Sequence, residues 1–184
     1  MDLVLDGGGC SAGIESTVVD VRVDPPVVLR PGAVSLAAIA ALVPGVASSS
    51  GDRRADQGRA SPGMDARHYA PRAPLTLAPT RDEAVAAARS LVATTGARVG
   101  LVLHGSALSS EAPDPAGLAP LTGDARLVMR LLPRDAAGYA RELYGTLHDL
   151  DDAHVAAIVV QAVPADASWW AVADRLARGS TPRA

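Results

Sequence analysis

The sequence predicts an α/β fold built on a parallel sheet, and three observations predict it. Residues 99–103 and 155–160 are continuously apolar and rich in Val, Leu and Ile, the pattern of strands covered on both faces. Helical segments alternate with these runs. One of them places Tyr139 or Ala140, then Leu143, Tyr144 and Leu147, on a single face at i, i+3, i+4 and i+7. Such alternation is the pattern of compact doubly wound folds. No G-x-G-x-x-G follows a strand, so a dinucleotide cofactor has no support.

The elements divide into three segments. In residues 1–45, an apolar run at 3–5 ends at Asp6 and the glycines 7–9. Those glycines lack a Gly-Lys-Ser/Thr and a following helix, so they read as a tight turn rather than a phosphate loop. From Ser16 the chain alternates, with Thr17, Val19, Val21 and Val23 on a drier face and Ser16, Val18, Asp20 and Arg22 on a wetter one. Asp24-Pro25-Pro26 is a turn, and residues 27–29 are a second strand able to pair with the first as a hairpin. Ser35 caps a short helix of Leu36, Ile39, Ala40 and Leu42, stopped by Pro44-Gly45. A few strands and one short helix are too little to close a core. The segment therefore reads as the tail of a domain whose earlier part lies outside this chain.

Residues 46–74 read as a linker. Residues 46–58 are rich in Ser, Gly and charge, without apolar period. The prolines between 62 and 74 make the rest extended and stiff. In residues 75–184, Thr80 and Glu83 form a capping box for an Ala-rich helix ending near Gly96. Strands follow at 99–103 and 127–132, a long helix begins near Asp135, a buried strand spans 155–160, and a helix from about 168 to 178 closes the chain.

Composition narrows the function. About half of the 184 residues are apolar (48%), but Phe is absent, so Val, Leu, Ile and Ala must fill the core. Every basic residue is Arg, which excludes a mechanism needing lysine from this chain. A net charge of -3 is no nucleic-acid footprint, and direct RNA binding is not expected. The single Cys10 excludes an intrachain disulfide and fits a reducing cytoplasm. There is no transmembrane run or signal peptide pattern.

Several stretches, in order, resemble one family. Asp2-Leu3-Val4-Leu5-Asp6-Gly7-Gly8, Gly13-Ile14-Glu15-Ser16-Thr17-Val18-Val19-Asp20 and Leu29-Arg30-Pro31-Gly32 resemble the final third of a YrdC-type catalytic domain. Residues 61–71, ending His68-Tyr69-Ala70-Pro71, resemble the interdomain linker of the longer, Sua5-type threonylcarbamoyl-AMP synthases. Ala140-Arg141-Glu142-Leu143-Tyr144 and Asp174-Arg175-Leu176 resemble their C-terminal Rossmann-like domain. The resemblance implies a remnant of the YrdC-type α/β domain over residues 1–45, a linker or lid over 46–74 and a Rossmann-like domain over 75–184.

The implied activity joins L-threonine, bicarbonate and ATP, with Mg2+ as the companion cation of ATP, into threonylcarbamoyl-AMP and diphosphate. A downstream transferase machinery then modifies tRNA. The chemistry needs positioning and neutralisation of phosphate charge more than a covalent nucleophile. The resemblance implies that Ser16 hydrogen-bonds threonine, that Arg30 contacts ATP phosphates through its planar fork, and that Tyr69 reaches from the linker onto the nucleotide. Thr17, Arg67 and His68 are neighbours of those positions. No catalytic side chain and no protein-held metal are implied for this chain. The lysine-bearing and Ser-x-Asn motifs of the family's catalytic domain are absent, and Asp174-Arg175-Leu176 stands where the family usually has Asn-Arg-Leu. The chain by itself is expected to lack synthase activity. A separate N-terminal YrdC-like fragment would complete it. The alternatives are a regulatory or docking module for such a fragment, or a truncated gene product.

The remaining candidates have plainer readings. His104, His148 and His154 lie on different elements, and Asp149, Asp151 and Asp152 read as a solvated helix end rather than a metal site. Cys10 has no adjacent His to activate it. Trp169 and Trp170 are either helix packing or an exposed patch. Apolar faces left uncovered on residues 1–45 would promote self-association.

Overall fold

The long apolar runs become the centre of a parallel sheet. The computed structural model describes residues 3, 5–48, 70–105 and 124–181. Strands β4 (Leu75–Ala78), β5 (Val99–His104), β6 (Leu127–Leu132) and β7 (Ala157–Gln161) form a four-stranded sheet in the order β4-β7-β5-β6. Every pairing in it is parallel. The two strands read as continuously apolar, β5 and β7, are its inner pair, which explains their composition: both faces are covered by helices.

Helix α2 (Arg81–Thr95) buries Ala84, Ala88 and Val92 against Val99, Leu101, Leu103 and Val159 on one face. Thr80 caps it by accepting the Glu83 amide, and Gly96 ends it, as the sequence predicts. Helix α3 (Ala136–Asp152) covers the other face with Tyr139, Leu143, Leu147 and Leu150, joined by Trp169, Val172 and Leu176 of the closing turn and helix α4 (Trp170–Gly179). Asp135 caps α3 by accepting the Gly138 amide at 2.7 Å. Each fully buried Leu or Ile in these layers contributes about 1.5–3 kcal/mol. Trp169 resolves to packing: it is buried, edge-on to Tyr139 at 5.4 Å between ring centroids. Among the described residues no helix is long and apolar enough to cross a membrane.

A second, three-stranded sheet lies in residues 18–48. Strand β1 (Val18–Asp20) pairs antiparallel with β2 (Val27–Arg30), giving the predicted hairpin, and β2 pairs parallel with β3 (Ala47–Ser48). Helix α1 (Leu36–Leu42) is capped by Ser35, as predicted, and buries no residue.

Five readings need correction. Strand β1 stops at Asp20 rather than running to Val23. The Asp20 carboxylate accepts the Arg22 backbone amide at 3.0 Å and the Arg22 guanidinium at 2.9 and 3.0 Å, a local bond that competes with the strand ladder. The wet and dry faces exchange there too, with Asp20 buried and Val21 76% exposed. The linker reading of residues 46–58 misses β3 at its start. Strand β4 is unpredicted. Asp151, read as part of a solvated helix end, is buried and accepts the backbone amides of Arg72 and Ala73 at 2.8 and 3.2 Å.

Candidate functional site

Ser16 and Thr17 lie immediately before β1, and Arg30 ends β2, so the hairpin brings them together. Arg30 donates from Nε and Nη2 to the Ser16 carbonyl at 3.2 and 3.1 Å. The Thr17 hydroxyl donates to the Val34 carbonyl at 2.7 Å and accepts the Val34 amide at 3.1 Å. That pair of bonds folds the Pro31-Gly32 turn onto the Glu-Ser-Thr backbone. The approach is so close that a Cβ on Gly32 would lie 2.3 Å from the Thr17 nitrogen and 2.5 Å from the Glu15 carbonyl oxygen. Only glycine fits there. Ser16 itself is exposed, as a hydroxyl available to a ligand must be.

The back of this turn rests on the α/β domain. Arg175 on α4 is 6% exposed. Its Nε donates to Glu15 Oε2 at 2.7 Å, its Nη2 to the Pro31 carbonyl at 3.0 Å and its Nη1 to Asp174 Oδ2 at 2.6 Å. The Tyr144 hydroxyl donates to the same Glu15 carboxylate at 3.3 Å. Arg178 in turn donates to both Asp174 oxygens at 2.9 and 3.0 Å. Further along, the Ser11 carbonyl accepts from Arg141 Nε at 3.1 Å, and a Cβ on Gly13 would lie 2.1 Å from the Arg141 Cα.

This network sets the charge states. Burial by itself raises the Glu15 pKa, but the Arg175 hydrogen bond, the backbone amide and the charges of Arg175 and Arg30 outweigh it and hold the carboxyl below its ordinary range. Glu15 is therefore ionised at neutral pH. The Tyr144 hydroxyl is pushed up to about 12, first by burial and then by the Glu15 charge, so it stays a donor. For Arg175 burial is the largest single influence and lowers the pKa, but the Glu15 hydrogen bond together with the charges of Glu15, Asp174 and Tyr144 outweighs it and raises it.

Of the residues singled out in the sequence, Ser16, Thr17 and Arg30 thus come together, while Arg67, His68 and Tyr69 lie outside the described residues. His104 ends β5, its ring 6.1 Å from that of Trp169; His148 is exposed on α3, and His154 follows that helix. Among the described residues no group of His, Cys, Asp or Glu is arranged to hold a metal. Cys10 is exposed. The Gly8 amide bonds the Asp6 carboxylate at 2.8 Å, which supports the tight-turn reading. Sequence reasoning missed Glu15 and Arg175 as partners. The only signal was that each stands inside a stretch with family resemblance.

Residues 34–181 match the family model described as threonylcarbamoyl-AMP synthase, C-terminal domain. The chain belongs to that family. Within it, the chain is 29% identical over 190 residues to the threonylcarbamoyl-AMP synthase of Pyrococcus abyssi, covering 98% of this chain and 49% of the relative. A shorter stretch of 81 residues is 42% identical to the synthase of Schizosaccharomyces pombe, covering 41% of this chain and 20% of the relative. Among solved structures, P. abyssi Sua5 complexed with L-threonine superposes with a TM-score of 0.74 at 28% identity, over 95% of this chain and 48% of that one. A variant of the same archaeal protein, with an adjacent histidine and tyrosine changed to alanine, superposes at 0.72 with 26% identity, over 95% of this chain and 47% of that one. The chain thus spans about half the length of the archaeal synthase. Its α/β domain, with the parallel sheet, is the synthase C-terminal fold.

Proposed function

We propose that this chain supplies part of the substrate site of a threonylcarbamoyl-AMP synthase, serving tRNA threonylcarbamoyladenosine formation in the cytoplasm. The observation that carries the reading is the joining of the Glu-Ser-Thr and Leu-Arg-Pro-Gly stretches, with Arg30 bonded to the Ser16 carbonyl and the Ser16 side chain outside. It stands in a chain similar to a protein solved with L-threonine.

In the proposed reaction the threonine amine and bicarbonate condense to a carbamate with loss of water. A carbamate oxygen then attacks the α-phosphorus of Mg2+-bound ATP, and diphosphate leaves. Ser16 hydrogen-bonds threonine, and Arg30 places positive charge beside the phosphates, where a planar fork suits them. Thr17 holds the turn that carries Arg30. Tyr69, flanked by His68 and Arg67, closes over the nucleotide. The histidine-tyrosine pair altered in the archaeal variant supports this, because His68-Tyr69 is the sole adjacent pair of that kind in the sequence.

Residues 1–45 act here as a portion of a YrdC-type catalytic domain, residues 46–74 as linker and lid, and residues 75–184 as the α/β domain. Helix α1 buries nothing, and Leu42 (84%), Val21 (76%) and Val34 (53%) stand exposed. These exposed apolar side chains are suited to contact with the remainder of a YrdC-type fold, whether on the same polypeptide or a separate one. They equally favour the second reading, in which the chain docks such a domain without taking part in chemistry.

ATP titration by calorimetry separates the two. Arg30→Ala and Tyr69→Ala are each expected to weaken ATP binding by about tenfold, the loss of roughly 1.4 kcal/mol in one charged or stacking contact. Binding that neither change weakens would contradict the substrate-site reading and leave the docking role.

A further inference from the structure

Arg175 belongs to the α/β domain, yet it grips both stretches that the proposed reaction uses. Its Nε bonds the carboxylate of Glu15, the residue before Ser16, and its Nη2 bonds the carbonyl of Pro31, the residue after Arg30. Arg30 then closes the square by donating to the Ser16 carbonyl. A guanidinium has donors in a fixed planar fork, so its contacts on Glu15, Pro31 and Asp174 set their relative positions as a unit. Asp174 is held as well by Arg178, which donates to both of its oxygens, and Tyr144 of α3 braces Glu15. The fork is anchored in two helices of the α/β core.

A salt bridge formed only for stability would not need this arrangement. Buried ion pairs stabilise little against an apolar replacement. The contacts of Arg175 fall on the residues beside the Ser16 hydroxyl and the Arg30 guanidinium.

We propose that Arg175 is a positioning residue of the synthase site, through which the α/β domain fixes the orientation of Ser16 and Arg30. The inference rests on the reading of Ser16 as a threonine contact. It gives the C-terminal domain a part in substrate binding without any contact between that domain and substrate. Lysine cannot replace Arg175, because a single ammonium does not reach a carboxylate, a backbone carbonyl and Asp174 along fixed directions.

The test uses the full chain and three variants: Arg175→Met, Arg175→Lys and Glu15→Gln. Glu15→Gln keeps Arg175 neutralised by Asp174, so it remains informative if Arg175→Met fails to fold. Hydrogen exchange is followed at residues 14–20 and 29–34, and L-threonine affinity is measured by calorimetry. Exchange at both stretches is expected to rise about tenfold or more in every variant that folds, with β5 and α2 unchanged. Threonine affinity is expected to fall in parallel, with Lys failing to restore it. Faster exchange with unchanged threonine affinity would overturn the positioning role and leave a structural tie. Unchanged exchange would overturn the tie as well. If the unmodified chain bound no threonine, the substrate reading would fail and this inference with it, a result distinct from binding that survives the loss of Arg175.

Discussion

Gly32→Ala is expected to release the Leu-Arg-Pro-Gly turn from the Glu-Ser-Thr strand and to lower L-threonine affinity by at least roughly tenfold. The added methyl would sit 2.3 Å from the Thr17 nitrogen, 2.4 Å from the Ser16 carbonyl carbon and 2.5 Å from the Glu15 carbonyl oxygen. All three atoms are backbone, so no side chain can rotate away. Relief requires the strands to part, which breaks the Thr17–Val34 bonds and carries Arg30 away from Ser16. Overpacking of this kind costs about 1–3 kcal/mol, and more when backbone has to move. Hydrogen exchange at residues 15–19 and 30–34 reads the parting directly. A variant with wild-type exchange and wild-type threonine affinity would show that the close approach is not part of the folded state.

Asp151→Ala is expected to destabilise the α/β domain by about 2–4 kcal/mol, through two backbone amides that lose a charged acceptor. Those amides belong to Arg72 and Ala73, just ahead of β4. The carboxylate on α3 thereby ties the chain entering β4 to that helix. Thermal melting should show a fall of roughly 5–15 °C. Asp152→Ala is the control: its ion pair with Arg72 at 3.6 Å is 76% exposed on both sides, and such pairs contribute about 1 kcal/mol at most. Equal effects of the two substitutions would contradict the assigned role of Asp151.

Asp151 also shows where sequence reading stops. In the sequence it is one of several acidic residues at a helix end, indistinguishable from Asp149 and Asp152. Only the fold shows that it faces the incoming chain. Strand β4 escaped for a related reason: Leu75–Ala78 is four residues long and directly follows a proline-rich stretch, so it lacks both the length and the turn signal that mark a strand. The inner strands were legible because burial on both faces demands an uninterrupted apolar run. Helices α2, α3 and α1 were legible because Thr80, Asp135 and Ser35 cap them where apolar spacing begins. The truncation of β1 at Asp20 was not, since alternation continues to Val23 while a side-chain turn ends the ladder.

The candidate site divides in the same way. Ser16, Thr17 and Arg30 were visible as motif positions. The Glu15–Arg175 pair joins residues 160 apart in sequence. Nothing local distinguishes it from surface charge, because what makes it consequential is burial, and burial is a property of the assembled fold.

An L-threonine titration of the isotopically labelled chain, followed by backbone amide shifts, reads the proposed site itself. Saturable shifts are expected at residues 15–18 and 30–34, with α2 and β5 undisturbed. Shifts centred on the α/β domain away from Arg175 and Tyr144, or none at saturating threonine, would rule out a threonine site at Ser16 and Arg30.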